Sequence, residues 1–425
     1  MRITGVACVL GLVVGVVVAR GEENWTQFRG VGGQGRSDAK GVVVNIGEGE
    51  NVKWKVGVRG KAWASPVVWG KQVWTTTASD DGKELFAICL DRETGKVVYD
   101  LKVFGVEKPQ YCHPYNSYAS PTPVIEEGRV YVTFGSPGTA CIDTGSGKVI
   151  WERRDFECNH YRGAASSPVL YGELLLMHFD GSDFQYVVAL DKKTGQTVWK
   201  TKRSVDYKDL GADGKPMTEG DFRKAFSTPV IAKVEGKDVM LSLGSKCLYA
   251  YEPRTGEEIW RVECQGCHSG SPTPVIGDGV AYVCMGLSHG ELWAIRLDGK
   301  AKGMVAGTHV EWKVTRDVPT RCSPALVGDL VIMVGDEGMA TCLEAKTGKE
   351  VWRKRLKGVY SASPVVVEGR IYFFSEKGEV TVIEAGREYK QVGEGKMGDG
   401  FMASAGVAGE AFFLRTKSSV YRVEK

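Results

Sequence analysis

Several things are scarce or missing in this chain, and each removes a class of function. Net charge is small, with 55 Lys plus Arg against 52 Asp plus Glu, so there is no strong field to hold nucleic acid or an anionic membrane. Beyond residue 20 no run of 18 apolar residues occurs, and the body of the chain therefore offers no membrane-spanning helix. No G-x-S-x-G elbow, P-loop or H-E-x-x-H is present, which removes the motifs of serine hydrolysis, phosphate cradling and zinc hydrolysis. Asp180-Gly181-Ser182-Asp183 lacks the remaining carboxylates of a calcium loop and reads as a turn, so no metal site is expected. Histidine is sparse too, at six residues.

Glycine is abundant instead, at 55 residues or roughly twice the usual share of about 7 per cent, and Val, Tyr and Trp are frequent. That combination predicts many short strands joined by tight turns. The start of the chain differs: Arg2 precedes an apolar stretch from Val6 to Ala19, followed by Arg20-Gly21-Glu22-Glu23. Residues 1–21 read as a signal peptide, which predicts a periplasmic or secreted protein with no transmembrane span in its mature form. Cys8 lies inside the apolar run, badly placed for lipid attachment. Export permits disulfides. Cys89, Cys141, Cys247, Cys284 and Cys342 sit in apolar strand-like runs and read as buried thiols, whereas Cys112, Cys158, Cys264, Cys267 and Cys322 fall in loops where pairing is open.

A repeat organises the remainder. Each unit opens with Ser/Thr-Pro, passes through two β-branched and aromatic runs, and ends on Asp/Glu-x-x-x-Gly with Trp four residues after the Gly. The marks are Pro66, Pro123, Pro168, Pro229, Pro274, Pro324 and Pro364, with Ala405 in the eighth place, at spacings of 40 to 61 residues. Four short strands per unit at this period mean a propeller blade. In Asp191-Lys192-Lys193-Thr194-Gly195-Gln196-Thr197-Val198-Trp199 the Asp and Thr bond local backbone, Gly supplies positive φ, and Trp offers a flat face to the neighbouring sheet. Trp151, Trp199, Trp260 and Trp352 occupy that place, Tyr99 substitutes in the first blade, and Trp312 follows an insertion in the fifth. Only three strands follow Ala405, and Val52 to Val56 carries Trp54 in the style of a fourth strand. The expected fold is therefore all-β: an eight-bladed propeller of four-stranded antiparallel blades over 52–425, closed by an N-terminal strand, with 22–51 as an N-terminal extension.

The hexapeptide Trp25-Thr26-Gln27-Phe28-Arg29-Gly30, together with Ala189 to Trp199, Ala250 to Trp260 and Cys342 to Trp352, resembles the pyrroloquinoline-quinone (PQQ)-binding-like propeller repeat family over nearly all of residues 25–425. The resemblance implies an eight-bladed propeller used in two ways: as a quinoprotein alcohol dehydrogenase with quinone and calcium, or, in an outer-membrane assembly lipoprotein, as a binding platform alone. The dehydrogenases carry adjacent cysteines over the quinone. No Cys-Cys pair exists here, and their calcium carboxylates and catalytic Asp map onto no position of this chain.

Cys264-Gln265-Gly266-Cys267-His268 matches the haem c attachment pattern, in which two thiols hold the porphyrin and His becomes an axial ligand. It lies in an ordinary inter-blade loop, and a local disulfide or two free thiols are the plainer readings. Long connections cluster on the top face of the propeller, and they bring most of the histidines there. This predicts a top-face site for a protein or small polar ligand, built from His113, Asn116, Tyr118, His160, Arg162, Arg223, Lys224, His268 and Arg321. The expected function is a secreted, non-catalytic binding or scaffold protein, with no catalytic residue, cofactor or nucleic-acid partner. The competing reading is a PQQ-dependent or haem-containing oxidoreductase.

Overall fold

The computed structural model describes residues 23–425, so the stretch 1–21 expected to be a signal peptide lies outside the described residues. Eight antiparallel sheets succeed one another along the chain. Blade 3 is representative, with strands A to D at Val169–Tyr171, Leu174–Asp180, Gln185–Asp191 and Thr197–Lys202. The middle strands are buried on both faces because each blade is sandwiched between two others. The outer strand alternates, and Trp199 is its inward-facing buried residue. No helix among the described residues is long and apolar enough to cross a membrane.

The eighth blade is composite. Gly406–Ala408, Ala411–Arg415 and Ser419–Val423 supply three strands, and Val52–Gly57 pairs antiparallel with the last, Trp54 lying opposite Arg422. Closure by an N-terminal strand is thus observed, one residue longer than its sequence pattern indicated.

The Asp-x-x-Thr-Gly-x-x-x-Trp repeat acts between blades. The indole N–H of Trp151 in blade 2 donates to Lys192 O in the turn of blade 3 at 3.0 Å, and its ring lies so close to Gly195 that a Cβ there would approach it to 2.7 Å. Gly195 also holds φ 73°, so two separate constraints demand glycine. The same contact joins Trp54 to Arg92 O at 2.9 Å, Trp199 to Pro253 O at 3.2 Å, Trp312 to Ala345 O at 3.0 Å and Trp352 to Gly386 O at 2.9 Å. Tyr99 reproduces it with its hydroxyl, donating to Gly145 O at 2.5 Å.

Two junctions depart from this pattern. In the fifth blade the insertion before Trp312 returns Gly303–Met304 as a short strand parallel to the outer strand of blade 4, Glu258–Glu263, and packs Ala301 and Val305 near Trp260. In blade 7 the outer strand, Lys390–Lys396, has Gly393 where others have Trp, and Val44 and Ile46 of the N-terminal stretch pack on Gly393 and Gly395.

The stretch before residue 52, set apart by the sequence as an extension, is built into the ring. Trp25 exchanges backbone bonds with Val68 of blade 1, Thr26 O accepts from Ile125 N of blade 2, and Gln34 Oε1 accepts from Ile276 N of blade 5. Arg29 donates to Pro324 O of blade 6 at 2.9 Å, and Arg36–Ser37 pairs in parallel with Val366 and Val367 of blade 7. These partners all lie on innermost strands, so residues 25–37 cross the central channel and plug it. Burial lowers the Arg29 pKa to about 10, and its other bonds go to Gly33 O and Gln34 O within the plug itself.

Candidate functional site

At the top of the channel each inner strand starts with the Ser/Thr of the repeat, and these residues form a belt. The backbone N–H of one donates to the hydroxyl of the next: Ser65 to Thr122 at 2.9 Å, Thr122 to Ser167 at 3.0 Å, Ser167 to Thr228 at 3.0 Å. The chain of bonds resumes from Thr273 to Ser323 at 2.9 Å, Ser323 to Ser363 at 3.0 Å and Ser363 to Ser404 at 2.9 Å. The Ser65 and Thr273 hydroxyls, at the two places where the belt breaks, are buried and have no hydrogen-bond partner among the described residues. Proline follows every belt residue except Ser404, which precedes Ala405, and it holds that residue extended and lacks an N–H that would need a partner.

Above the belt opens a cavity of about 490 Å³, with Phe28 of the plug among its lining and Ser167, Thr228, Ser323, Ser363 and Ser404 around its neck. It is a blind funnel rather than a through-channel. Its two walls differ in charge. On one side Arg162 makes a two-pronged pair with Asp221, at 3.1 and 3.2 Å, and the same carboxylate takes the buried Lys224 ammonium, leaving one net positive charge. Burial lowers the Lys224 pKa, whereas Lys224 and Arg162 overcome the effect of burial on Asp221 and lower it. His113 stands beside them, its Nδ1 accepting from Tyr115 N at 3.1 Å, and burial followed by repulsion from Arg162 lowers its pKa. The Asn116 amide donates to Arg162 O at 3.0 Å, fixing the loop to that wall.

The opposite wall is net negative. Arg321 pairs with both Asp336 and Glu376 at 3.2 Å, while Thr320 N and Ser361 Oγ donate to the same two carboxylates. Burial alone would lower the Arg321 pKa, but Asp336, Tyr115 and Glu376 outweigh it and raise it. Tyr115 ties the walls together. It belongs to the loop after blade 1, yet its hydroxyl bonds Glu376 and Arg321, and the guanidinium lies 4.9 Å from its ring centroid. The loop is held behind Tyr115 by Trp63 Nε1, which donates to Tyr115 O at 3.2 Å, and by Lys61, which donates to Pro114 O at 2.8 Å. Burial, then Glu376, pushes the Tyr115 pKa up to about 12, so the phenol keeps its proton.

The nine top-face candidates therefore separate. His113, Asn116, Arg162 and Arg321 line the funnel. Tyr118 and His160 line a smaller adjoining crevice. His160 is only 8 % exposed, accepts from Ser136 N at 3.0 Å, and has its pKa lowered by burial to about 4. Arg223 is engaged by Asp209 at 2.7 and 2.9 Å, Lys224 lies behind Asp221, and His268 stands edge-on to Phe222 with Nδ1 3.0 Å from Ser269 Oγ. His178, also near the top in sequence, is buried between Ser227 O and Ser242 Oγ. Phe28, Tyr115, Asp336 and Glu376 went unnoticed in the sequence reading. Tyr115 was discoverable, since it lies within the long loop between His113 and Asn116. Asp336 and Glu376 sit in tight turns of ordinary repeats, and nothing local marks them.

Cys264 and Cys267 are joined to each other as a disulfide, and Cys89, Cys112, Cys141, Cys158, Cys247, Cys284, Cys322 and Cys342 are free. Of the loop cysteines only this pair is joined. Both sulfurs are buried and bonded together, and His268 is turned to Ser269 and Phe222.

Fold and site together define a propeller of the quinone-binding-like repeat class with a blind, hydroxyl-belted funnel on one face. A sequence model of the family described as outer membrane protein assembly factor BamB matches residues 13–206, 183–333 and 291–388, and the chain belongs to that family. The outer membrane protein assembly factor BamB of Yersinia pestis is 24% identical over 214 residues, 47% of this chain and 49% of that protein. The quinoprotein ethanol dehydrogenase of Pseudomonas aeruginosa is 33% identical over 160 residues, 32% of this chain and 22% of its own length. The chain thus spans about half the length, or less, of these curated relatives. Among solved structures, BamB from Moraxella catarrhalis aligns with TM-score 0.61 at 12% identity, covering 88% of this chain and 97% of that one. A europium-containing methanol dehydrogenase aligns with TM-score 0.53 at 13% identity, covering 94% and 89%. At such identity these alignments speak for the fold alone.

Proposed function

We propose that the chain is a non-catalytic binding platform on the periplasmic side of an envelope, and that the top-face funnel receives a projecting segment of a partner protein. One observation carries this reading: a blind funnel of about 490 Å³ whose walls bear opposite net charge. Apolar floor residues such as Phe28 and Phe226 would cover an inserted side chain, and the belt hydroxyls would bond its backbone. The membership in a family of assembly factors supports a partner that is itself a protein.

A quinone-dependent dehydrogenase is the second reading, favoured by the quinoprotein relatives. The donor set does not fit it. Asp336 of the funnel lining and Glu376 beside it are both engaged by Arg321 and by hydroxyl or amide donors instead of facing an open cation position.

The test is affinity capture with the purified chain and with a His113→Ala, Arg162→Ala, Arg321→Ala triple variant. We expect the wild type to retain a defined partner and the variant to lose at least about tenfold in affinity while its melting temperature falls only slightly. Equal capture by both proteins would move the working surface away from the funnel.

A further inference from the structure

The loop between blades 4 and 5 and the strand beside it bring three metal-ligating side chains together, the one such group found among the described residues. The Sγ atoms of Cys264 and Cys267 and a carboxylate oxygen of Glu291 all lie within 4.8 Å of one another. They come from two blades: the cysteines from the loop after Glu258–Glu263, and the carboxylate from the start of Glu291–Arg296. The arrangement is held from outside. Trp293 Nε1 donates to Glu291 Oε2 at 2.8 Å, leaving the other oxygen free to turn toward the sulfurs. Cys267 N donates to Cys264 O at 2.9 Å, and the loop is clamped to the neighbouring turn by Cys264 N to Lys246 O at 2.8 Å and Lys246 N to Cys267 O at 2.9 Å. Both cysteines are buried, yet Gly266 at the loop tip is exposed, and a Cβ added to it would meet nothing within 4 Å.

We propose that Cys264, Cys267 and Glu291 form a redox-gated site for a thiophilic divalent cation of the zinc type. Two thiolates spaced C-x-x-C and one carboxylate are three protein ligands of the kinds that zinc takes, and water completes a tetrahedron. The Trp293 bond to Glu291 is the outer-shell contact that orients such a ligand. In the disulfide form the sulfurs are spent on each other and the site is closed. Opening it takes a two-electron reductant, a dithiol: the S–S bond accepts two electrons and two protons to give two thiols, and the dithiol leaves as its own disulfide. On metal binding each thiol then releases its proton to solvent.

The experiment titrates Co²⁺ into the reduced and oxidised full chain and follows the thiolate-to-metal absorption bands, with Zn²⁺ added afterwards in competition. We expect one equivalent bound by reduced protein only, displaced by Zn²⁺. Binding is expected to vanish in Cys264→Ser, Cys267→Ser and to weaken about tenfold or more in Glu291→Gln and Trp293→Phe. Bands of equal strength in the double serine variant would assign the metal to another of the chain's cysteines and overturn the proposal, as would a reduced wild type that shows none. Because the variants could misfold, alkylation of the reduced wild type is mapped by mass spectrometry with and without Zn²⁺. Protection confined to Cys264 and Cys267 supports the site, and unprotected modification of both refutes it.

Discussion

Between blades 2 and 3, Trp151 reaches across Gly195 to a carbonyl, and the same three-part contact recurs around the outer rim with Trp54 over Gly95, Trp199 over Gly256 and Trp312 over Gly348, while Trp352 keeps the carbonyl bond alone. At the mouth of the funnel nothing recurs. Arg162 and Arg321 both lie in loops that lead into an inner strand, on opposite walls, yet one shares Asp221 with a lysine and the other divides itself between two carboxylates. The rim repeats because every blade must solve the same packing problem against an equivalent neighbour. The mouth varies because its loops pack mainly against solvent and each other, which leaves their chemistry free to differ.

The comparison is most severely broken by removing residues 23–57. This takes away the outer strand of blade 8, the channel plug, and the buried Trp25 and Trp54 together. Loss of either Trp alone is worth about 3–5 kcal/mol, so the truncated chain is expected to lose its cooperative urea transition or to aggregate through the exposed strand edges. Next comes Gly195→Ala, which sets a Cβ 2.7 Å from the Trp151 ring at φ 73° and is expected to cost roughly 2–4 kcal/mol in the same assay. In contrast, Tyr115→Phe at the mouth is expected to cost about 1 kcal/mol or less, because its hydroxyl partners remain engaged with one another, while altering partner capture.

Acidification sharpens the contrast from another side. His160 is held neutral by burial, with a folded pKa of about 4 against about 6.5 unfolded. Between those values the unfolded chain binds more protons, so stability is full above pH ~6.5 and declines as pH falls toward 4. His178 acts in the same direction, its pKa lowered by burial and then by Arg203. A His160→Gln variant is expected to show a flatter melting temperature between pH 7 and 4.5 than the wild type. The smallest effect tests the belt itself: Ser323→Ala removes an acceptor from Thr273 N and is expected to cost about 1 kcal/mol, while Ser65→Ala, whose hydroxyl lacks a partner, is expected to be neutral within about 0.5 kcal/mol.

Periodicity made the rim legible in advance. Pro66 through Pro364 counted the blades, the Gly-to-Trp interval located the outer strands, and the shortage of one strand after Ala405 pointed to Val52. The plug was not legible, since 25–37 has no repeat of its own and its partners lie on blades 1, 2, 5, 6 and 7, set by the ring and not by neighbouring residues. For the funnel, loop length indicated His113, Asn116, Arg162 and Arg321, but nothing in the sequence distinguished them from Arg223 and Lys224, which the packing of the loops keeps out of the funnel lining. Asp336 and Glu376 acquire meaning only once Tyr115 is carried across the mouth to meet them.

The composite eighth blade also has a kinetic consequence. Val52 finds its partner at Val423, a separation of about 370 residues, and Trp25 is bonded to blade 1 while Ser37 is bonded to blade 7. During synthesis the strand at Val52–Gly57 must wait, unpaired, until Ser419–Val423 has emerged. Apart from Gly303–Met304 on blade 4 and Arg36–Ser37 on blade 7, the pairings of blades 1 to 7 are local hairpins that can form in order, but sealing the ring is a late step of very high contact order. Until that step, the chain is an open arc with a free edge at each end, and its exposure to mispairing is set by how long the arc persists, not by how stable the finished ring becomes.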